Sequence, residues 1–206
     1  MRQLDERLPS LLDDPAVIAD QALISAAQTE PAAFARLYER YGDRVLNYCY
    51  YRLGTWEEAE DAAQQIFINA YAALPRYQDR GAESTSHVRS WLFTIAHHEV
   101  ANRHRSQARN RDLPLEAARE MRDSGPSPEE LAVAAERQDR IRGFLSHLSP
   151  DQRRTIELRL AGLTDSEIAR VLGRSPGAIR ATQFRAVARL RALLGSGIHD
   201  KGGSDV

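Results

Sequence analysis

Residues 149–194 read SPDQRRTIELRLAGLTDSEIARVLGRSPGAIRATQFRAVARLRALL, and the punctuation within this stretch decides the fold. Ser149, Pro150 and Gln152 supply an N-cap, a proline at the first helical position and a capping-box partner. Gly162 is positioned to stop that helix. Thr164 and Glu167 form a second capping box, opening a short helix over 165–172 that Gly173 ends. Ser175 then caps a long helix with Pro176 at its first position. A short helix, a glycine turn and a longer basic helix, in that order, make a helix-turn-helix, whose second helix enters the DNA major groove.

The spacing on the last helix predicts which side reads DNA. Ile179, Gln183, Ala186 and Leu190 recur at helical intervals and face inward with Ile168, Val171 and Leu172. The opposite side carries Gly177, Arg180, Ala181 and Phe184, with Arg185 at its edge. Free backbone N–H groups and the helix dipole at this N-terminus favour phosphate. Gly177 removes a side chain where backbone and DNA approach, Arg180 suits guanine or phosphate, and Phe184 suits a thymine methyl. The candidate duplex-contacting set is Arg174, Ser175, Gly177, Arg180, Ala181, Phe184 and Arg185, with Arg174 and Arg185 as phosphate anchors. Arg153, Arg154 and Arg189 fit backbone positioning better than base reading. One basic helix alone is more often a solvated surface; the ordered caps and glycine turn are what favour DNA.

Outward from this motif, the formal net charge of −1 hides a segregation. Residues 1–85 carry 8 basic and 14 acidic groups, 86–112 carry 5 and 2, 113–140 carry 4 and 7, and 141–206 carry 11 and 6. Two basic segments separated by an acidic one suit two separate contacts with a polyanion. Lys201 is the only lysine, so nearly every cation is an arginine, whose planar fork matches phosphates and base edges. No apolar run approaches the roughly 20 residues of a membrane span, and residues 1–15 lack a signal peptide's apolar core. The expected location is the cytoplasm, without membrane insertion. The single cysteine, Cys49, excludes an internal disulfide and a multi-cysteine zinc site and reads as a buried thiol.

Strand signals are nearly absent and helical periodicity is widespread. Residues 1–19 read as a flexible extension, with Asp20 as a possible cap of a short helix through Ala27. A helix over 31–53 carries Phe34, Leu37, Tyr38, Tyr41, Val45 and Tyr48 on one stripe. Gly54 stops it and Thr55 caps the next, over 56–74, which ends before Pro75. After a loop over 76–86, a fourth helix covers 88–108. Residues 109–130 are polar, with Gly125, Pro126 and Pro128 close together, and read as a flexible linker. Residues 196–206 read as a flexible tail. The expectation is an all-α chain of two small helical domains, 20–108 with four helices and 131–195 with the helix-turn-helix, joined by that linker.

Three stretches of the first domain then carry a family resemblance: PAAFARLYERY (31–41), AEDAAQQIFINAYAALPRY (59–77) and SWLFTIAHHEVANRHR (90–105). In this order, upstream of a helix-turn-helix, they closely resemble the extracytoplasmic-function sigma factors, compact two-domain members of the bacterial primary-sigma family. The resemblance covers about residues 20–195. It implies a region 2 domain and a region 4 domain, and promoter-specific initiation with core RNA polymerase. The helix with Asp61, Gln64, Gln65, Phe67 and Tyr71 matches the segment that docks on the clamp helices of the largest polymerase subunit. Its polar stripe beside apolar residues suits a groove on a helix pair, with Asp61 and Gln64 exposed and Phe67 at least half buried.

Residues 90–105 match the segment that opens promoter DNA, where extruded bases need stacking groups and cations. Trp91, Phe93, His97, His98, Arg103 and Arg105 are of those types, although Trp91, Leu92, Ile95 and Val100 also fall on a core stripe. The loop with Gly81, Glu83, Ser84 and Ser86 would cradle the flipped −10 base by this resemblance. The implied −10 and melting set is Gly81, Glu83, Ser84, Ser86, His98, Arg103 and Arg105. Relatives commonly carry asparagine at the position of His98, and a shorter loop.

The expected partners are core RNA polymerase and promoter DNA, and an anti-sigma protein, since many members are held inactive by one wedged between the two domains. No nucleophile–base pair, phosphate loop or metal cluster appears, so neither enzymatic activity nor a cofactor is expected. His97 and His98 lack companion ligands for a metal. A rival reading keeps the same helix-turn-helix on a stand-alone regulator with a sensing or dimerising first domain, binding DNA without polymerase.

Overall fold

The computed structural model describes residues 15–78, 87–110 and 128–199, in which all the regular elements are helices. In order they are α1 (Pro15–Thr29), α2 (Pro31–Leu53), α3 (Trp56–Ala73), α4 (Val88–Asn110), α5 (Pro128–Ser146), α6 (Pro150–Leu160), α7 (Asp165–Leu172) and α8 (Pro176–His199). A 3-10 turn, Leu74–Arg76, extends α3 where Pro75 interrupts it. The candidate base-cradling residues Gly81, Glu83, Ser84 and Ser86, most of the linker and most of both termini lie outside the described residues.

α1 to α4 form the first helical unit. Leu37, Tyr41, Val45, Tyr48 and Cys49 of α2 are buried, as are Ile66, Phe67 and the alanines 59, 62, 63 and 70 of α3. The alanines let α3 approach α2 closely. Val88, Leu92, Phe93, Ala96 and Val100 close the core from α4. Each large aliphatic or aromatic group buried contributes on the order of 2 kcal/mol. Gly54 ends α2 at φ 103. The Thr55 hydroxyl accepts from the Glu58 N–H and caps α3.

Two expectations about the start of the chain are corrected. Residues 15–19 are helical, so α1 begins before Asp20, and Asp20 is an interior helix position, not a cap. Its carboxylate is buried, accepts from the Tyr41 hydroxyl and pairs with Arg40 Nε at 3.0 Å. Burying a carboxylate demands such partners, and they fix α1 on α2. Tyr38, expected on the buried stripe, is 52% exposed.

α5 to α8 form the second unit. The caps read from the sequence are present. Ser149 and Gln152 satisfy each other's backbone N–H groups at 3.4 and 3.1 Å, and Thr164 and Glu167 do so at 3.3 and 2.7 Å. Gly162 and Gly173 take φ 89 and 63, where a Cβ is disfavoured. α5 is an addition: the polar, Gly/Pro-punctuated composition before it disguised a helix that begins at Pro128, inside the expected linker, and buries Leu145, with Leu148 buried just beyond its end. The helices α4 and α8 also run further than expected, through Asn110 and His199.

The two units are packed together. α7 lies on α4, and Leu158, Leu163, Ile168 and Ile179 share one buried cluster with the first unit. Arg52 of α2 meets Glu157 of α6 at 3.2 Å, and Arg89 of α4 meets Glu167 of α7 at 2.9 Å, both carboxylates being fully buried. Arg170 of α7 donates to the Ser90 hydroxyl at 3.2 Å. Tyr50 donates to Asp139 at 2.7 Å and Arg142 to the Gly54 carbonyl at 3.0 Å, tying α5 to α2.

Candidate nucleic-acid and partner interfaces

On α8 the buried and exposed sides separate as the periodicity predicts. Ile179 and Ala186 are fully buried, Gln183 and Leu190 partly, while Gly177, Arg180, Ala181, Phe184 and Arg185 are exposed. Phe184 is 77% exposed, an unusual position for an aromatic ring with no neighbour to cover it. Thr182, which the sequence reading left out, is buried and donates to the Ala178 carbonyl at 2.9 Å. Its hydroxyl also receives Arg185 Nη2 at 3.4 Å, which holds Arg185 along the helix edge.

Arg180 lies near the start of α7, with Nε 3.9 Å from Asp165. Asp165 also receives Arg159 and Gln183, the latter at 3.1 Å, so a single carboxylate organises the base of the recognition helix. Ser175 Oγ accepts the Ala178 N–H at 3.2 Å, serving as cap. Arg174 pairs with Asp151 at 2.6 Å, both exposed. Arg153 and Arg189 are engaged internally: Arg153 donates to the Leu145 and Ser146 carbonyls, each at 2.9 Å, and Arg189 to His147 at 2.7 Å. They knit α5, α6 and α8 together.

On α4 the structure divides the stacking candidates. Phe93 is fully buried edge-on against Tyr48, with ring centres 5.6 Å apart, and so is unavailable to a base. His97 is half-buried beside the Tyr48 hydroxyl at 3.3 Å. Burial, then the Arg52 and Arg154 cations and His98, push its pKa down to about 4, so it is a neutral packing group. His98 and Arg105 are exposed, and Arg103 pairs with Glu99 at 2.9 Å one turn back. Trp91 is partly buried with its ring 5.0 Å from Tyr77. These two rings, Ser90, Thr94 and Arg170 help line a cavity of about 420 Å³ at the start of α4.

α3 presents a third surface. Asp61 and Gln64 are exposed, and Gln65 is held by a 2.9 Å bond to Asn69. Phe67 is buried beneath Tyr38, with ring centres 4.7 Å apart, while Tyr71 stands half exposed against Phe34 at 5.1 Å. Tyr38 and Ile68 therefore belong to this surface as well. Helical period alone placed Tyr38 on the core side of α2; only its position over Phe67 shows it at the edge.

An outward-facing basic helix after a glycine turn, an arginine-bearing helix beside an aromatic cavity and an acidic-aromatic ledge thus lie on separate faces of an all-helical chain. Residues 37–110 match sigma-70 region 2, and residues 138–190 match sigma-70, region 4. The ECF RNA polymerase sigma factor SigD of Mycobacterium tuberculosis is 34% identical over 177 residues, covering 84% of this chain and 82% of that protein. BldN of Streptomyces coelicolor, also an ECF RNA polymerase sigma factor, is 33% identical over 186 residues, covering 87% and 69%. Among solved structures, CnrH in complex with the cytosolic domain of CnrY is similar with a TM-score of 0.65 and 25% identity, over 86% of this chain and 98% of that one.

The chain belongs to the ECF RNA polymerase sigma factors. It is an initiation factor that directs RNA polymerase to specific promoters. No described helix is long and apolar enough to cross a membrane.

Proposed function

We propose that α8 reads the −35 duplex, that α4 with the loop 76–86 captures and melts the −10 element, and that α3 docks on the clamp helices of the largest polymerase subunit. The observation that carries this reading is the partition on α8: Ile179, Thr182 and Ala186 are buried while Arg180, Ala181 and Phe184 are free to enter a groove. Arg180 and Phe184 read base edges, and Arg174 and Arg185 anchor phosphates. His98 and Arg105 supply exposed donors and charge along the melting helix. Tyr71 and the Asp61–Gln64 stripe offer the aromatic and polar pairing that a helix-pair groove accepts.

In this scheme 20–108 and 131–195 act as the two promoter grips, and weak binding by each becomes strong once polymerase joins them. An initiation factor of this kind works in the cytoplasm, where the template is. CnrH is solved in complex with the cytosolic domain of CnrY, and an anti-sigma protein is the further partner proposed here. Run-off transcription with core polymerase tests the reading: a promoter-dependent product is expected from the full chain and none from core alone. Arg180→Ala is expected to redirect or weaken promoter choice, and unchanged start sites at unchanged strength would overturn the assignment of α8.

A further inference from the structure

One side chain of α1 reaches across to the turn that ends α3. Gln28 Nε2 donates to the Leu74 carbonyl at 3.0 Å and to the Tyr77 carbonyl at 2.9 Å, the two ends of the 3-10 turn. A side-chain amide nitrogen carries two hydrogens, so each carbonyl receives one, and two acceptors before it fix which way the amide faces. Within the turn Pro75 offers no N–H, and the Tyr77 N–H donates to the Leu74 carbonyl at 3.0 Å. At Tyr77 the backbone is extended, with φ −65 and ψ 121, so its carbonyl leaves the helical pattern and is met by Gln28.

α1 is anchored well enough to serve as a support. Asp20, Ile24 and Ala27 lie at helical spacing on one face and are buried, Asp20 against the Tyr41 hydroxyl and, at 3.0 Å, Arg40 Nε. Gln28 follows one turn after Ile24, at the edge of that face. What the turn carries is Tyr77. Its ring meets that of Trp91 edge-on, with centres 5.0 Å apart and planes at 63°, and both rings line the open cavity at the start of α4 beside Ser90 and Thr94. An unstacked base is bound best by aromatic groups already in place, since ordering them on its arrival subtracts from the affinity they give.

We propose that Gln28 is a positioning residue for strand capture: its amide clamps the turn at both carbonyls and so holds Tyr77 against Trp91 at the cavity where an unpaired base is taken. The inference rests on the promoter-reading proposal above, and it adds α1 to the elements that serve the −10 side. Gln28 touches no DNA in this scheme and acts through the backbone of Tyr77. Its loss therefore weakens the grip on an unpaired strand and leaves the reading of duplex by α8 alone.

The test uses holoenzyme, with the full chain in excess over core polymerase, on a promoter mapped from its own transcripts. Binding is measured on the −35 duplex alone and on a fork whose −10 non-template strand is unpaired. Gln28→Met keeps the length and neutrality of the side chain and removes both donors. It is expected to weaken fork binding about fivefold and to leave the −35 duplex unchanged. Tyr77→Ala is expected to weaken the fork by itself, and in that background Gln28→Met adds about twofold or less, because the group it positions is gone. Unchanged fork binding in Gln28→Met, an equal loss on both fragments, or losses that multiply in the double variant overturns the inference. If Tyr77→Ala weakens the fork and Gln28→Met does not, the promoter reading stands and the role of Gln28 alone is overturned. If Tyr77→Ala leaves the fork unaffected, the cavity does not take the base, and both readings of this side fall together. Should Tyr77→Ala lose its helical circular dichroism, Tyr77→Leu, which keeps bulk without an aromatic face, takes its place with the same deciding outcomes.

Discussion

Single side chains carry the sharpest expectations. Arg180 is exposed, with its Nε 3.9 Å from Asp165, so on the proposed reading Arg180→Ala removes a base contact and disturbs little of the fold. A good bidentate contact discriminates by about 1–3 kcal/mol, so a loss of about tenfold or more in initiation from its promoter is expected by run-off assay. His97 has its pKa depressed to about 4 by burial and the Arg52 and Arg154 cations, against an ordinary value near 6.5. Its neutral form therefore supports the fold fully above about pH 6.5, and that support declines as pH falls toward 4. Denaturation midpoints measured between pH 4 and 7 are expected to fall less steeply for His97→Gln than for wild type. The Cys49 thiol is fully buried and pushed up to about 12 by desolvation, and it is expected to react with a thiol reagent only after denaturation. At this scale the sequence revealed residue types better than their neighbours. Glu167 was legible as a capping residue but not as the partner of Arg89, because that contact depends on how two separately coded helices meet. Asp20 was misread for the same reason: the Tyr41 and Arg40 groups that bury it sit on another helix.

Whole elements were legible wherever local chemistry sets them. Both capping boxes, the left-handed glycines and the inward stripe of α8 act within a few residues of themselves, and each is present. α5 was not legible, since it is held by Leu145, with Leu148 just beyond its end, meeting α8 and by Tyr50 and Gly54 across the domain contact. Tyr38 shows the limit of periodicity: the stripe identifies a helix face but not where the neighbouring helix ends. Substitutions at the two caps of α7 test the local part. Thr164→Ala removes an N-cap and is expected to cost about 1 kcal/mol in chemical denaturation. Gly173→Ala places a Cβ at φ 63 and is expected to cost a similar amount, through backbone strain alone, since open space surrounds that position. A helix-turn-helix that bent at this turn would also misdirect Arg180, so DNA affinity is expected to fall along with stability.

At the level of the molecule, the surfaces proposed for DNA and for polymerase lie on separate helices, so their effects are separable. Tyr71→Ala on α3 is expected to weaken the complex with core polymerase in a competition assay while leaving binding of the −35 duplex by the free chain intact. The resemblance in the first unit, carried by the helices over 31–41, 59–77 and 90–105, was readable because core spacing and exposed polar positions recur together there. The mutual packing of the two units was not, since a charged residue in a sequence reads as solvated until its partner is known. Glu157 is such a case, fully buried and with its pKa raised by desolvation despite the Arg52 cation beside it.

The position of α7 has one more consequence, which concerns timing. α7 packs on α4, whereas α8 beyond the Gly173 turn keeps Arg180, Ala181 and Phe184 uncovered. On the proposed assignment the helix that reads duplex is exposed, while the helix that captures the unpaired strand is partly covered by α7. Under that assignment search and melting would follow in order, a sequence being sampled and released by α8 many times before α4 opens any base pair.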